Sequence, residues 1–174
     1  MRRRRVQLAV IVAVMGLLGV VAVAVAGGGR EVRERLIGYQ EVPSISTTGV
    51  GDFRARVRDN EIKYSLSYKD VEGDVTQSHI HIGQEGVSGG ISVFLCTNLS
   101  NGPAGTQPCP GPHQGSIRGT IRPADVIGPT GQGVKPGEYA ELLQAIRAGV
   151  TYANIHSTLY PGGEIRAQLN EHGH

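Results

Sequence analysis

Tryptophan is absent from this 174-residue sequence, and phenylalanine and cysteine occur only twice each. Aromatic residues make up 5% of the chain and charged residues 18%. With so few aromatics, and no basic run beyond the first residues, nucleic-acid binding has no support, because base stacking and phosphate contacts need both. There is no C-x-x-C pair and no histidine at finger-type spacing from a cysteine. That excludes the common thiol-redox and zinc-finger motifs. The G-x-S-x-G, Walker A, G-x-G-x-x-G and H-E-x-x-H patterns do not occur. The acidic residues are scattered, so no catalytic carboxylate pair is legible.

Glycine is what the chain has in excess, 26 of 174 residues, about twice the usual share of ~7%. There is no Gly-X-Y period, so the chain is not collagen-like, and a long coiled coil does not tolerate so many helix breakers. The composition reads as turn-rich and β-leaning. The chain opens with four consecutive arginines, Arg2 to Arg5, then an almost unbroken apolar run over residues 6–26 that ends in Ala24-Val25-Ala26. Two readings of residues 1–26 stand. One is a secretory signal peptide cut after Ala26. The other is a retained transmembrane anchor with the arginines inside, since about 20 apolar residues span a bilayer as a helix. Either reading puts the remainder outside the cytoplasm, secreted or membrane-anchored. Residues 27–34 read as a linker, 35–170 as one domain and 171–174 as a tail. Without the four leader arginines, 13 basic residues face 15 acidic ones, a net of −2. The two cysteines, Cys96 and Cys109, flank a Gly/Pro/Asn-rich stretch and read as a structural disulfide in an oxidising compartment.

Period-2 alternation recurs along the domain. Phe53, Ala55 and Val57 alternate with Arg54, Arg56 and Arg58, and Ile62, Tyr64, Leu66 and Tyr68 alternate with Lys63, Ser65, Ser67 and Lys69. With Asp59-Asn60 between them, these runs predict a hairpin. Further strands are expected over 36–42, 76–82, 91–96, 116–121, 150–156 and 164–169. About eight short strands with Gly/Pro turns predict an antiparallel β-sandwich or closed barrel. One short helix is predicted over 137–148. Its apolar stripe is Tyr139, Leu142, Leu143 and Ile146, with Pro136 before it and Gly149 as its C-cap, and it is expected to pack across one end of the sandwich.

His79 and His81 stand in Ser78-His79-Ile80-His81-Ile82. On a strand, residues i and i+2 share a face, so both imidazoles project together. Such a pair is a common source of two nitrogen ligands for copper or zinc. Tyr152, Asn154 and His156 share one face of a later strand, and if the two strands are neighbours the three histidines converge. A pair of buried, backbone-bonded histidines fits the same pattern. His113, in a Pro-rich loop, is a possible fourth ligand, while His172 and His174 belong to the tail.

The order of four segments carries more than any single motif. Gln40-Glu41-Val42-Pro43 comes first, then Ser78-His79-Ile80-His81-Ile82-Gly83, then Ala148 to His156, then Pro161-Gly162-Gly163-Glu164-Ile165-Arg166. This series resembles the CHRD domain, the chordin-type module, across residues 35–169. The departures are Ser78 where Ala is usual and Ala167 where Gly is usual. The resemblance implies an immunoglobulin-like, Greek-key β-sandwich with a distant similarity to copper/zinc superoxide dismutases. It implies metal binding at His79, His81 and His156, and makes Arg166 a candidate for anion steering. The bridging histidine and aspartate cluster of a dismutase is not evident, and no activity comes with the family. The expected function is a non-catalytic module outside the cytoplasm that binds a protein, a surface polymer or a metal ion. The alternative is a copper-dependent, dismutase-like enzyme, and a third reading is a purely structural domain.

Overall fold

Alternation of apolar and polar side chains builds nearly every element of the computed structural model, which describes residues 30–172. The expected leader, residues 1–26, lies outside the described residues. Among the described residues no helix is long and apolar enough to cross a membrane. The strands are β1 (Arg30–Ile37), β2 (Val50–Val57), β3 (Ile62–Lys69), β4 (Val75–Ile82), β5 (Gly90–Thr97), β6 (Gly115–Ile121), β7 (Thr151–Ser157), β8 (Ile165–Leu169) and β9 (Glu171–His172). One α-helix, α1 (Tyr139–Arg147), precedes β7. The chain is mostly β and antiparallel, as expected.

The strands form one continuous hydrogen-bonded path in the order β5-β4-β7-β8-β1-β2-β3-β6, with β9 added to β1. A β-sandwich or closed barrel was expected. The two halves join where β8 meets β1, at Ile37 opposite Arg166, and β9 continues along β1 at Val32 and Glu31, so the sheet folds over itself there. Both halves contribute to one core, including Leu36, Phe53 and Leu66 from one side and Ile80, Leu95 and Ile155 from the other. At the open edges, the Tyr64 hydroxyl donates to the Leu95 carbonyl at 3.1 Å. Gln107 Nε2 donates to the carbonyls of Leu95 and Arg118, tying β5 to β6. The result stands between a sandwich and a barrel.

The predicted hairpin is β2–β3, paired in register from Val50 opposite Lys69 to Val57 opposite Ile62. The first strand begins earlier than expected. β1 starts at Arg30, inside the stretch read as linker, and pairs with β2 from Arg30 opposite Val57 onward. After Ile37 the chain turns in a short 3-10 segment, Gly38–Gln40, so residues 38–42 do not continue the strand. Glu171 and His172, expected as tail, form β9 against Val32 and Glu31.

Helix α1 buries the predicted stripe, Tyr139, Leu142, Leu143 and Ile146. The Tyr139 hydroxyl donates to the Arg58 carbonyl at 2.8 Å and Arg147 pairs with Asp59 at 3.1 Å, which fixes the helix over the β2–β3 turn. Cys96 and Cys109 form the expected disulfide. It pins the loop after β5 to that strand's end, where Asn98 donates to the carbonyls of Val75 and Cys109 and accepts from the Cys109 amide.

Candidate metal centre

Strand β4 places Ile80 in the core and turns His79 and His81 to the opposite, outer face of its half-sheet. β7 is its direct neighbour. Their register sets Asn154 opposite His79 and Tyr152 opposite His81, with His156 opposite Gln77. His79 and His156 are therefore diagonal cross-strand neighbours, within reach of each other. β8 continues the face, with Arg166 opposite Asn154 and Gln168 opposite Tyr152.

This outer face is not solvent-exposed, because three loops cover it. His79, His81 and His156 are 0%, 6% and 7% exposed. The loop after β1 brings in Glu41, the β4–β5 loop brings the Gly89 carbonyl, and the β7–β8 loop brings the Pro161 carbonyl. His81 Nδ1 lies 2.9 Å from Gly89 O, and His156 Nδ1 lies 2.9 Å from Pro161 O. A carbonyl only accepts, so both Nδ1 atoms carry the proton and both Nε2 atoms carry a lone pair. His79 Nδ1 lies 3.1 Å from His156 Nε2 and donates to it. The buried Nε2 atoms of His79 and His81 then have no hydrogen-bond partner.

One ring nitrogen from each of the three histidines lies within 4.8 Å of the other two. The convergence expected from the sequence is therefore present. Rings held by a backbone carbonyl at Nδ1 are oriented in the way metal-ligating histidines usually are. Burial holds all three neutral. The His79 pKa falls to about 2, through burial first and then the neighbouring His156 and His81. That of His81 falls to about 4, again through burial, against the opposing bond to Gly89. His156 is lowered by burial and partly restored by Pro161. Neutral imidazole is the form that binds a metal.

The surroundings of the cluster are aromatic and cationic. Phe94 packs edge-on against His79, with ring centres 4.4 Å apart. Tyr152 stacks flat on His81 at 4.6 Å, and the Arg166 guanidinium carbon lies 3.4 Å from the centre of the same tyrosine ring. His81, Tyr152 and Arg166 thus form one stack. Arg166 is only 2% exposed and donates to the Gln84 carbonyl at 3.1 Å. Its charge faces Tyr152 and Glu41 rather than the solvent. Glu41 is 6% exposed, and burial raises its pKa to about 7 despite the attraction of Arg166. A Cβ at Gly163 would clash with the Glu41 carboxylate, and Gly163 has φ +132°, so only glycine fits beside that carboxyl.

Other expected residues lie elsewhere. His113, the possible fourth ligand, donates Nδ1–H to Val71 O at 2.9 Å and faces Asp74 at 3.6 Å, outside the cluster. His174 lies outside the described residues. Glu164, in the Pro161–Arg166 segment, is fully buried. It accepts from Thr47 Oγ1 at 2.7 Å, the Glu72 amide at 2.7 Å and Ser157 Oγ at 2.5 Å. It ties the β7–β8 turn to two other loops.

The four segments that stood out in the sequence thus meet at one place: the Glu41 loop, strand β4, strand β7 and the turn into β8. The chain matches the family model of the CHRD domain over residues 32–169. It belongs to the CHRD-domain family. No curated protein and no solved structure matches the chain. In this CHRD domain the shared segments do two jobs. Strands β4 and β7 supply the histidines. The Glu41 loop and the Pro161–Arg166 turn cover and brace them.

Proposed function

We propose that this CHRD domain is a non-catalytic module, working outside the cytoplasm, that holds one copper or zinc ion on His79, His81 and His156. The observation that carries the reading is the pair of buried, unpartnered Nε2 atoms within a three-histidine cluster. A buried nitrogen without a partner costs roughly 1–3 kcal/mol, and a metal ion would satisfy it. The donor set fits borderline metals that favour imidazole. Two carbonyl-fixed rings supply the outer hydrogen bonds such a site needs. When bound, the ion supplies a cross-link between β4 and β7, and copper adds one-electron chemistry. Tyr152, propped by Arg166, holds the His81 ring in plane. Phe94 and the three loops keep water from the donors.

The disulfide supports an oxidising, extracytoplasmic setting, as does the leader with its four arginines. We read the folded-over sheet as an immunoglobulin-like sandwich whose halves have stayed connected. Nothing favours the dismutase-like alternative. Its ligand rings are buried, and Arg166, expected to steer an anion, is turned inward. The test uses the full chain, stripped with a chelator and reloaded. One copper or zinc ion per chain in the wild type, lost in His79→Ala and His81→Ala, is the expected result. Equal, substoichiometric metal in all three proteins would refute the site. Bound copper with superoxide turnover would restore the enzyme reading.

A further inference from the structure

The domain's basic residues are gathered on one surface. Residues 27–174 carry a net charge of −2, yet ten of their 13 basic residues lie on, or just beyond the ends of, β1, β2, β3 and β6. This is the half-sheet remote from the histidines in strand order. Its outward positions hold seven basic residues and two acidic ones, Glu31 and Asp52. Strand register lines them up across the sheet. Arg33 lies opposite Arg54, Arg54 opposite Ser65, and Ser65 opposite Arg118. At ~4.8 Å between strands, this row spans roughly 15 Å. Arg33 opposite Arg54 is a like-charge pair, which destabilises a sheet unless something else neutralises it.

Acids neutralise only the margins. Arg33 and Arg56 pair with Glu31, and Lys63 pairs with Glu61. Among the described residues, Arg54 and Arg118 have no ion pair and no side-chain hydrogen bond, and both are exposed. Two adjoining grooves, of ≈ 320 and ≈ 190 Å³, share Arg54, Ser65 and Arg118. Together they form one trough, with Asp52 and the hydroxyls of Ser67 and Ser116 toward one end and Glu31, already paired with Arg33 and Arg56, toward the other.

We infer that this trough binds a linear anionic polysaccharide. Guanidinium forks recognise sulfate, phosphate and carboxylate groups in a bidentate way. Serine hydroxyls between them offer donors and acceptors to sugar hydroxyls and anionic oxygens. A flat bilayer would touch the guanidinium tips and leave the trough empty. A nucleic acid would find no aromatic platform, because Phe53, Tyr64 and Tyr68 all point into the core.

The full chain in neutral, non-ionic detergent is the material for the test, and the probe is dextran sulfate, with uncharged dextran as its control. Binding at about 50 mM salt is expected, weakening as salt rises. Arg54→Ala/Arg118→Ala should bind about tenfold more weakly, with a log-affinity against log-salt slope shallower by about 2. Lys135→Ala/Arg147→Ala, on the helix side, should bind as the wild type does. No binding to dextran sulfate, or an equal loss in both double variants, overturns the inference. So does tighter binding to duplex DNA, or to micelles doped with anionic phospholipid, than to dextran sulfate.

Discussion

At the residue scale, the strongest constraint on this domain is the burial of titratable groups on one face. Three neutral histidines and a carboxyl raised to about 7 share that face, and they pull stability in opposite directions with pH. In the unfolded chain a histidine takes up its proton near pH 6.5, whereas in the fold His81 does so only near 4 and His79 near 2. Below 6.5 the unfolded state therefore binds more protons, and each ring removes up to about 1.4 kcal/mol of stability per pH unit. Glu41 acts the other way. Its folded pKa lies above its unfolded one, so its contribution is full at low pH and is lost as pH rises through about 7. Metal-free protein should lose stability in urea between pH 6.5 and 5. Glu41→Gln, which removes the opposing group, should make that loss steeper. A pH-independent midpoint, or a shallower loss in the variant, would mean that these groups are not buried as described.

At the scale of elements, the loop between β5 and β6 is the part most dependent on covalent help. It carries little apolar surface and is held by Cys96–Cys109 together with hydrogen bonds of Asn98, Gln107 and His113. Replacing both cysteines with serine should reduce stability by about 3 kcal/mol, the chain-entropy value for a loop of this length. Equilibrium denaturation under non-reducing conditions measures it. An unchanged midpoint would show that the hydrogen bonds of Asn98, Gln107 and His113 close the loop without the disulfide. The same scale shows what was readable in advance. The β2–β3 hairpin and the α1 stripe followed from periodicity, because each buries one face and its inward residues are all apolar. The start of β1 did not follow. Glu34 occupies the inward register between Val32 and Leu36, so the alternation was hidden by a charge. The histidine pair was legible as a shared face on β4. That β7 lies beside β4 was not, because strand adjacency is set by tertiary topology rather than by spacing. In the sequence Arg166 is a candidate for anion steering. Only the packing of Tyr152 and Glu41 around it makes it an internal prop.

At the scale of the whole molecule, the folded-over sheet separates two surfaces. One half-sheet carries the loop-covered histidines, and the other carries the arginine trough. A net charge of −2 conceals this division, since the basic residues are concentrated on the second half while most acids lie on loops elsewhere. The covering loops give the four separate segments a common place in the fold. Each is needed to bury or brace the same three imidazoles. X-ray absorption at the metal edge of the loaded full chain checks the proposed metal site. Three nitrogen neighbours at ~2.0–2.1 Å are expected, with the outer-shell scattering of imidazole rings, and a diminished imidazole contribution in His156→Ala. An oxygen-dominated shell, or an imidazole contribution undiminished in His156→Ala, would overturn it.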